Sequence, residues 1–171
     1  RTDLGLTNTA YYANDARMMS RMAAALGKKD DSRRYAALYE NIKKAFNAKY
    51  FDSEGRTVSN TQTSYALPLA FGVVDDSLKQ KATDNLVQNI RQKGNTLTTG
   101  FIGTPCLNIA LSENGRDDVA YDLFEQTAYP SWLYPVLQGA TTMWERWNSY
   151  TIENGFGPVD MNSFNHYAYG A

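Results

Sequence analysis

The chain is 171 residues long, with 17 Lys and Arg against 18 Asp and Glu, one Cys and one His. That length fits one ordinary domain or part of a larger one, and a 43% apolar content suffices for a buried core. A formal net charge of −1 gives no sequence-independent attraction to nucleic acid, and no apolar run approaches the ~18 residues of a membrane span.

In chain order, the first 128 residues read as helices joined in hairpins. From Thr9 to Leu26, Tyr11, Met18, Met19, Met22 and Leu26 recur at three- and four-residue steps, and Gly27 supplies the stop. Asp30 or Asp31 is placed to cap a second helix with Tyr35, Leu38, Tyr39, Ile42 and Phe46 on one face. Tyr50 to Val58 carries an acidic turn at Glu54-Gly55 and reads as a short hairpin or an irregular loop. Thr61 to Phe71 is a short apolar helix with Pro68 near its middle, ending at Gly72. Asp75 and Asp76 open a helix with Leu78, Ala82, Leu86 and Ile90 at four-residue spacing, stopped by Gly94. A polar loop, Asn95 to Thr104, leads to Pro105, which suits a helix's first turn. Leu107–Leu111 and Val119–Phe124 form one more short pair around Asn114-Gly115-Arg116.

Three successive hairpins, each closed by a glycine, predict an all-α array. Their lengths are uneven and no motif recurs, which argues against a solenoid and leaves a bundle or an α/α toroid. No linker divides the chain, so residues 1–171 are expected to lie in one domain. The chain starts on Arg1 without Met or a leader, and it stops inside an apparent helix start, Asn162 to Tyr169. Both ends therefore look cut, and the expectation is a fragment of a longer protein.

The last quarter differs in kind. From Tyr129 onward, 43 residues hold 10 of the 22 aromatics and all three Trp, but only four charges: Glu145, Arg146, Glu153 and Asp160. Its Gly and Pro residues, Pro158 among them, argue against a simple packed helix. In Trp144-Glu145-Arg146-Trp147 a carboxylate sits between aromatics, an arrangement that holds an acid/base group beside flat surfaces on which the C–H faces of sugars stack. The alternative is that Trp144 and Trp147 bury one face while Glu145 pairs with Arg146 or solvent, since aromatic clusters more often serve packing than binding.

Other chemistries find little footing. A lone Cys106 can form neither an intrachain disulfide nor a cysteine-based zinc site, and a single histidine, His166, is more often structural than a metal ligand. No metal site or cofactor is expected. No Gly-x-Ser-x-Gly elbow or phosphate-binding loop occurs, and Thr99 to Thr104 reads as a connection between hairpins.

Five stretches carry a resemblance. They are Thr7 to Tyr12, Thr61 to Leu67, Leu97 to Pro105, Gly139 to Trp147 and Asn165-His166-Tyr167. Together they make the chain similar to the later part of the catalytic domain of bacterial α-L-rhamnosidases, glycoside hydrolase family 78. The most specific are Gly-Ala-Thr-Thr-Met-Trp-Glu-Arg-Trp and the downstream Asn-His-Tyr. The resemblance implies about half of an (α/α)6 barrel, six helical hairpins in a ring with the site in a funnel at one end. It implies hydrolysis of terminal α-L-rhamnose with inversion, by two carboxylates about 6.5–9.5 Å apart. Glu145 matches the general base, His166 a contact to rhamnose hydroxyls, and Trp132 and Trp144 contacts to the sugar ring.

One departure matters. The family's general acid lies in an upstream Arg-Asp-Glu-Arg stretch that does not occur here, where the only early carboxylates are Asp3 and Asp15. The expected partners are a rhamnoside substrate and the rest of the catalytic domain, and the fragment alone is expected to be inactive. Two rivals stay open: a non-catalytic carbohydrate-binding relative, and a helical scaffold with buried Trp144 and Trp147 and a surface-paired Glu145. One Cys suits the cytoplasm and does not exclude a periplasmic or secreted enzyme.

Overall fold

A computed structural model describes residues 1–157, 160 and 162–167. Three antiparallel helical pairs follow one another: α1 (Leu4–Ala25) with α2 (Lys29–Tyr50), α3 (Gln62–Ala70) with α4 (Asp76–Gln92), and α5 (Thr104–Ser112) with α6 (Asp117–Phe124). A five-residue helix, α7 (Leu133–Leu137), and a minimal antiparallel ladder complete the described elements. In that ladder β1 (Tyr150–Thr151) sets Tyr150 opposite Phe156 of β2 (Gly155–Phe156). Helix α3 lies between α1 and α5, and each of these three packs on its own hairpin partner. The core runs along that seam through Leu6, Phe46, Tyr65, Leu67, Leu86, Ile90, Leu107, Leu111 and Leu123. Among the described residues no helix is long and apolar enough to cross a membrane.

The helix starts follow local chemistry. Asp3 caps α1, its carboxylate accepting from the Leu6 N–H at 2.8 Å, so the helix begins five residues before the expected Thr9. Thr61 and Ser64 form a reciprocal capping box on α3. Pro105 sits in the first turn of α5, where its missing N–H costs no helical bond. Asp30 and Asp31 lie within the first turn of α2 rather than at its cap, which is Lys28; there they complement the positive end of the helix.

Helix α1 turns a different face inward from the one its large residues mark. Leu6, Thr7, Ala10, Ala13, Ala16 and Ala23 are buried, while Tyr11, Met18, Met19, Met22 and Leu26 are exposed, Leu26 by 72%. Alanines let α1 approach its neighbours closely, and the bulky face is left outside this chain's own core. Tyr11 still meets Phe71 edge-on at 5.1 Å. On α2, Ile42 and Phe46 are buried as expected, joined by Asn47 and Tyr50.

The connections divide by length. Tight turns join the two helices of each pair, whereas longer segments follow each pair: 51–61 and 93–103 lead to the next pair, and 125–132 leads to α7. Asp3 N–H donates to Ser59 Oγ at 2.9 Å, Asn89 Nδ2 to Asn60 O at 2.8 Å, and Leu97 N–H to Pro130 O at 3.2 Å. Tyr50 to Val58 is a tight turn with a single bridge between Phe51 and Thr57, and Asp52 Oδ1 accepts from the N–H groups of Glu54 and Arg56. Gly55, at φ 67°, lets this turn press on α4, since a Cβ there would stand 2.7 Å from that of Lys81.

Candidate active site

The site is assembled from chain segments without regular structure, held on this frame by backbone hydrogen bonds. Residues 142–145 run beside residues 163–166. Glu145 and Ser163 exchange two bonds: the Glu145 N–H donates to Ser163 O at 2.8 Å, and the Ser163 N–H donates to Glu145 Oε2 at 2.7 Å. Thr142 donates its hydroxyl to Phe164 O, and the His166 N–H donates to Met143 O at 2.8 Å. Glu145 and His166, twenty-one residues apart in sequence, therefore stand on two paired segments. The Glu145 carboxylate is half-buried, and among the described residues no Lys or Arg forms an ion pair with it.

Ser149 locks the base of this arrangement. It is fully buried; its Oγ accepts from the Arg146 N–H at 3.2 Å, and its carbonyl accepts from Gly157 N–H and Asn162 Nδ2. Trp147 then fastens the segment to the helical frame, its Nε1–H donating to Thr99 O at 3.0 Å. The imidazole of His166 stacks on Phe101, with ring centroids 4.8 Å apart and planes 13° from parallel. Both outer contacts thus fall on one loop, residues 93–103, which connects α4 to α5.

That loop is itself fixed by the fully buried Gln62 of α3, whose Nε2 donates to Thr96 O at 2.9 Å and whose Oε1 accepts from the Thr98 N–H at 2.8 Å. At its end Gly103 passes so close to α3 that a Cβ would lie 2.3 Å from Thr63 Oγ1. Only the missing side chain allows that approach.

The tryptophans take different places. Trp144 is only 7% exposed and meets Tyr150 and Phe164 edge-on at 6.5 and 5.4 Å. Trp132, part-buried, packs edge-on against Trp147 at 6.0 Å and beside Phe124 at 6.2 Å. Trp144 belongs to the 142–145 segment and meets Phe164 of the paired 163–166 segment within the aromatic cluster, whereas Trp132 stands outside both segments. A concavity of about 520 Å³ next to that cluster is lined by residues including Gln138, Thr141, Trp144, Tyr150, Phe156 and Phe164, and not by Glu145 or His166. The scaffold alternative has Trp144 and Trp147 buried and Glu145 paired at the surface: Trp144 is buried as it expects, while the Glu145 carboxylate is bonded to a backbone N–H. Asn162 to His166 are not helical, and the end of the expected C-terminal helix, together with Pro158, lies outside the described residues.

Sequence reasoning picked out Glu145 and His166 and missed Gln62, Phe101 and Ser163. Gln62 and Phe101 stand inside stretches that carried the family resemblance, and that was their only signal. Ser163 acts through its backbone, which leaves none. Among the described residues no group of three or more His, Cys, Asp or Glu side chains is arranged to hold a metal ion.

Comparison with known proteins fits this geometry into a family. Residues 1–171 match the bacterial alpha-L-rhamnosidase 6 hairpin glycosidase domain. An alpha-L-rhamnosidase of Formosa agariphila is 46% identical over 171 residues, 99% of this chain and 18% of that protein. The crystal structure of Streptomyces avermitilis alpha-L-rhamnosidase complexed with L-rhamnose superposes with a TM-score of 0.91 at 48% identity, covering 95% of this chain and 16% of that one. Native rhamnosidase of Aspergillus terreus also gives 0.91, at 36% identity over 99% of this chain and 20% of its own. The chain thus spans about a fifth of the length of these relatives, and its helical pairs are part of an (α/α)6 barrel. By its sequence, its hairpins and its likeness to solved rhamnosidases, the chain belongs to the bacterial α-L-rhamnosidase six-hairpin glycosidase family.

Proposed function

We propose that residues 1–171 form part of the catalytic domain of a glycosidase that releases terminal α-L-rhamnose with inversion, and that Glu145 is its general base. The observation that carries this reading is the double clasp between Glu145 and Ser163. It fixes the carboxylate with one oxygen occupied by a backbone N–H and leaves the other to accept a proton. A water held on Glu145 would lose a proton to the carboxylate as its oxygen bonds to the anomeric carbon. The bond to the aglycone breaks at the same time, and a second carboxyl group protonates the leaving oxygen. In this reading His166 contacts rhamnose hydroxyls, and Trp132 and Trp144 lie along the sugar ring.

The second carboxyl is expected outside this chain. Asp3 is committed to the cap of α1, and Asp15 is an exposed residue on the same helix. The exposed apolar residues at both edges of the arc, Met18, Met19 and Met22 on α1 and Ile109, Tyr121 and Phe124 on α5 and α6, suit burial by the remaining hairpins of a closed ring. On this account the rest of the domain is both the chain's partner and the source of the acid, and the chain alone does not turn over substrate.

Product stereochemistry tests the mechanism. In early time points of proton NMR, the full-length protein acting on 4-nitrophenyl α-L-rhamnoside is expected to release β-L-rhamnose first, with the α anomer growing in by mutarotation. Initial release of the α anomer would show retention and remove the water-activating role of Glu145.

A further inference from the structure

We infer that Phe101 is a positioning residue for His166, setting the plane in which the imidazole meets the sugar. The inference rests on the reading of His166 as a rhamnose contact and adds to it a residue to which the family resemblance gave no role. The starting observation is the near-parallel stack of the two rings, 4.8 Å between centroids at 13°. A stacked imidazole keeps its two nitrogens at the ring edge, so the plane of the ring fixes the directions along which they hydrogen-bond. Rhamnose hydroxyls reached from a wrongly tilted ring would be met out of line, where hydrogen bonds weaken steeply.

Phe101 can set that plane because its own backbone is held on both sides. Gly100 O accepts from the N–H groups of Gly103 and Thr104 at 3.1 and 3.0 Å and from the Thr104 hydroxyl at 2.9 Å. The Thr99 and Thr104 hydroxyls bond to each other at 2.8 Å in a buried setting. Gln62 holds the loop's start on α3, and the close approach of Gly103 to Thr63 holds its end. His166 is tied elsewhere, through its N–H to Met143 O. One segment therefore fixes the backbone of the histidine, and a different loop, anchored on α3 and tied to that segment through Trp147, fixes its ring. Phe101 is 42% exposed, so its side chain is not a core residue whose removal would by itself collapse the fold.

The test is a double-mutant cycle in the full-length protein, with kcat and KM measured for 4-nitrophenyl α-L-rhamnoside. Phe101→Ala is expected to raise KM roughly 3- to 10-fold, the scale of one aromatic pair, with little change in kcat. Phe101→Tyr keeps the ring and is expected to stay within about twofold of wild type in both constants. In a His166→Ala background, Phe101→Ala should add almost nothing, because the ring it orients is gone. Three results would overturn the inference: wild-type KM in Phe101→Ala, a Tyr variant as impaired as the Ala variant, or the same fold-loss from Phe101→Ala with and without His166. Wild-type kinetics in His166→Ala alone would overturn it from the other side, by removing the sugar contact on which it rests. A loss in His166→Ala beside an unaffected Phe101→Ala leaves that contact standing and rejects only the positioning role.

Discussion

Replacing Glu145 by Gln in the full-length enzyme is expected to lower kcat by about 10²–10⁴-fold, the contribution of one positioned acid/base group, and to leave the fold intact. Gln matches Glu in size, and its amide oxygen can still accept the Ser163 N–H that now bonds to Oε2 at 2.7 Å. The backbone half of the clasp, from the Glu145 N–H to Ser163 O, does not involve the side chain at all. What Gln cannot do is take a proton from water. Glu145→Ala would be a poorer test, because it leaves the Ser163 N–H without its acceptor and mixes a structural loss with the chemical one. Circular dichroism and the thermal midpoint of Glu145→Gln should match those of the parent protein. Near-normal kcat in the variant would remove Glu145 as the base.

The 171-residue chain, made alone, is expected to release no 4-nitrophenol from 4-nitrophenyl α-L-rhamnoside above the blank, under conditions where the full-length enzyme turns it over. Activation of water is only half of an inverting displacement; the leaving oxygen also needs a proton from a second carboxyl. Of the two early carboxylates, Asp3 is spent on the cap of α1 and Asp15 is exposed on the same helix. The loss should therefore exceed the roughly 10²–10⁴-fold attached to one acid/base group. An open arc also leaves Met18, Met19, Met22 and Leu26 in water, so the isolated chain is expected to associate in gel filtration as well. Measurable turnover by the isolated chain would contradict the assignment of the acid to another part of the protein.

The helices were legible wherever their signals were local. Thr61 with Ser64 marks the start of α3, and Pro105 marks that of α5, because caps and first turns are made by neighbouring residues. The inward face of α1 was not legible in the same way. Spacing of Tyr11, Met18, Met19 and Met22 identifies a helix with a bulky side, but which side this chain covers depends on neighbours, and here the alanines face inward. Helix α7 has only five residues and contains Pro135, which leaves no period to read. The β1–β2 ladder has two residues on each side, too few for an alternation to be read.

For the site, the resemblance picked out Glu145 and His166, but not how they come together. That meeting runs through the backbone of Ser163 and Met143, whose side-chain identities are nearly irrelevant to it. The tryptophans show the same limit from the other direction. Their residue type says nothing of how they pack: Trp144 meets Tyr150 and Phe164 edge-on while lining the concavity beside them, and Trp147 uses its N–H to hold Thr99.

A crystal structure of the full-length Glu145→Gln protein with an uncleaved α-L-rhamnoside tests the central claim most directly. The account predicts residue 145 on the face of the anomeric carbon away from the aglycone, with a water between them. It places the second carboxyl about 6.5–9.5 Å from residue 145 and the His166 imidazole against rhamnose hydroxyls. A sugar bound away from residue 145, or a carboxyl pair only about 5–5.5 Å apart, would contradict it.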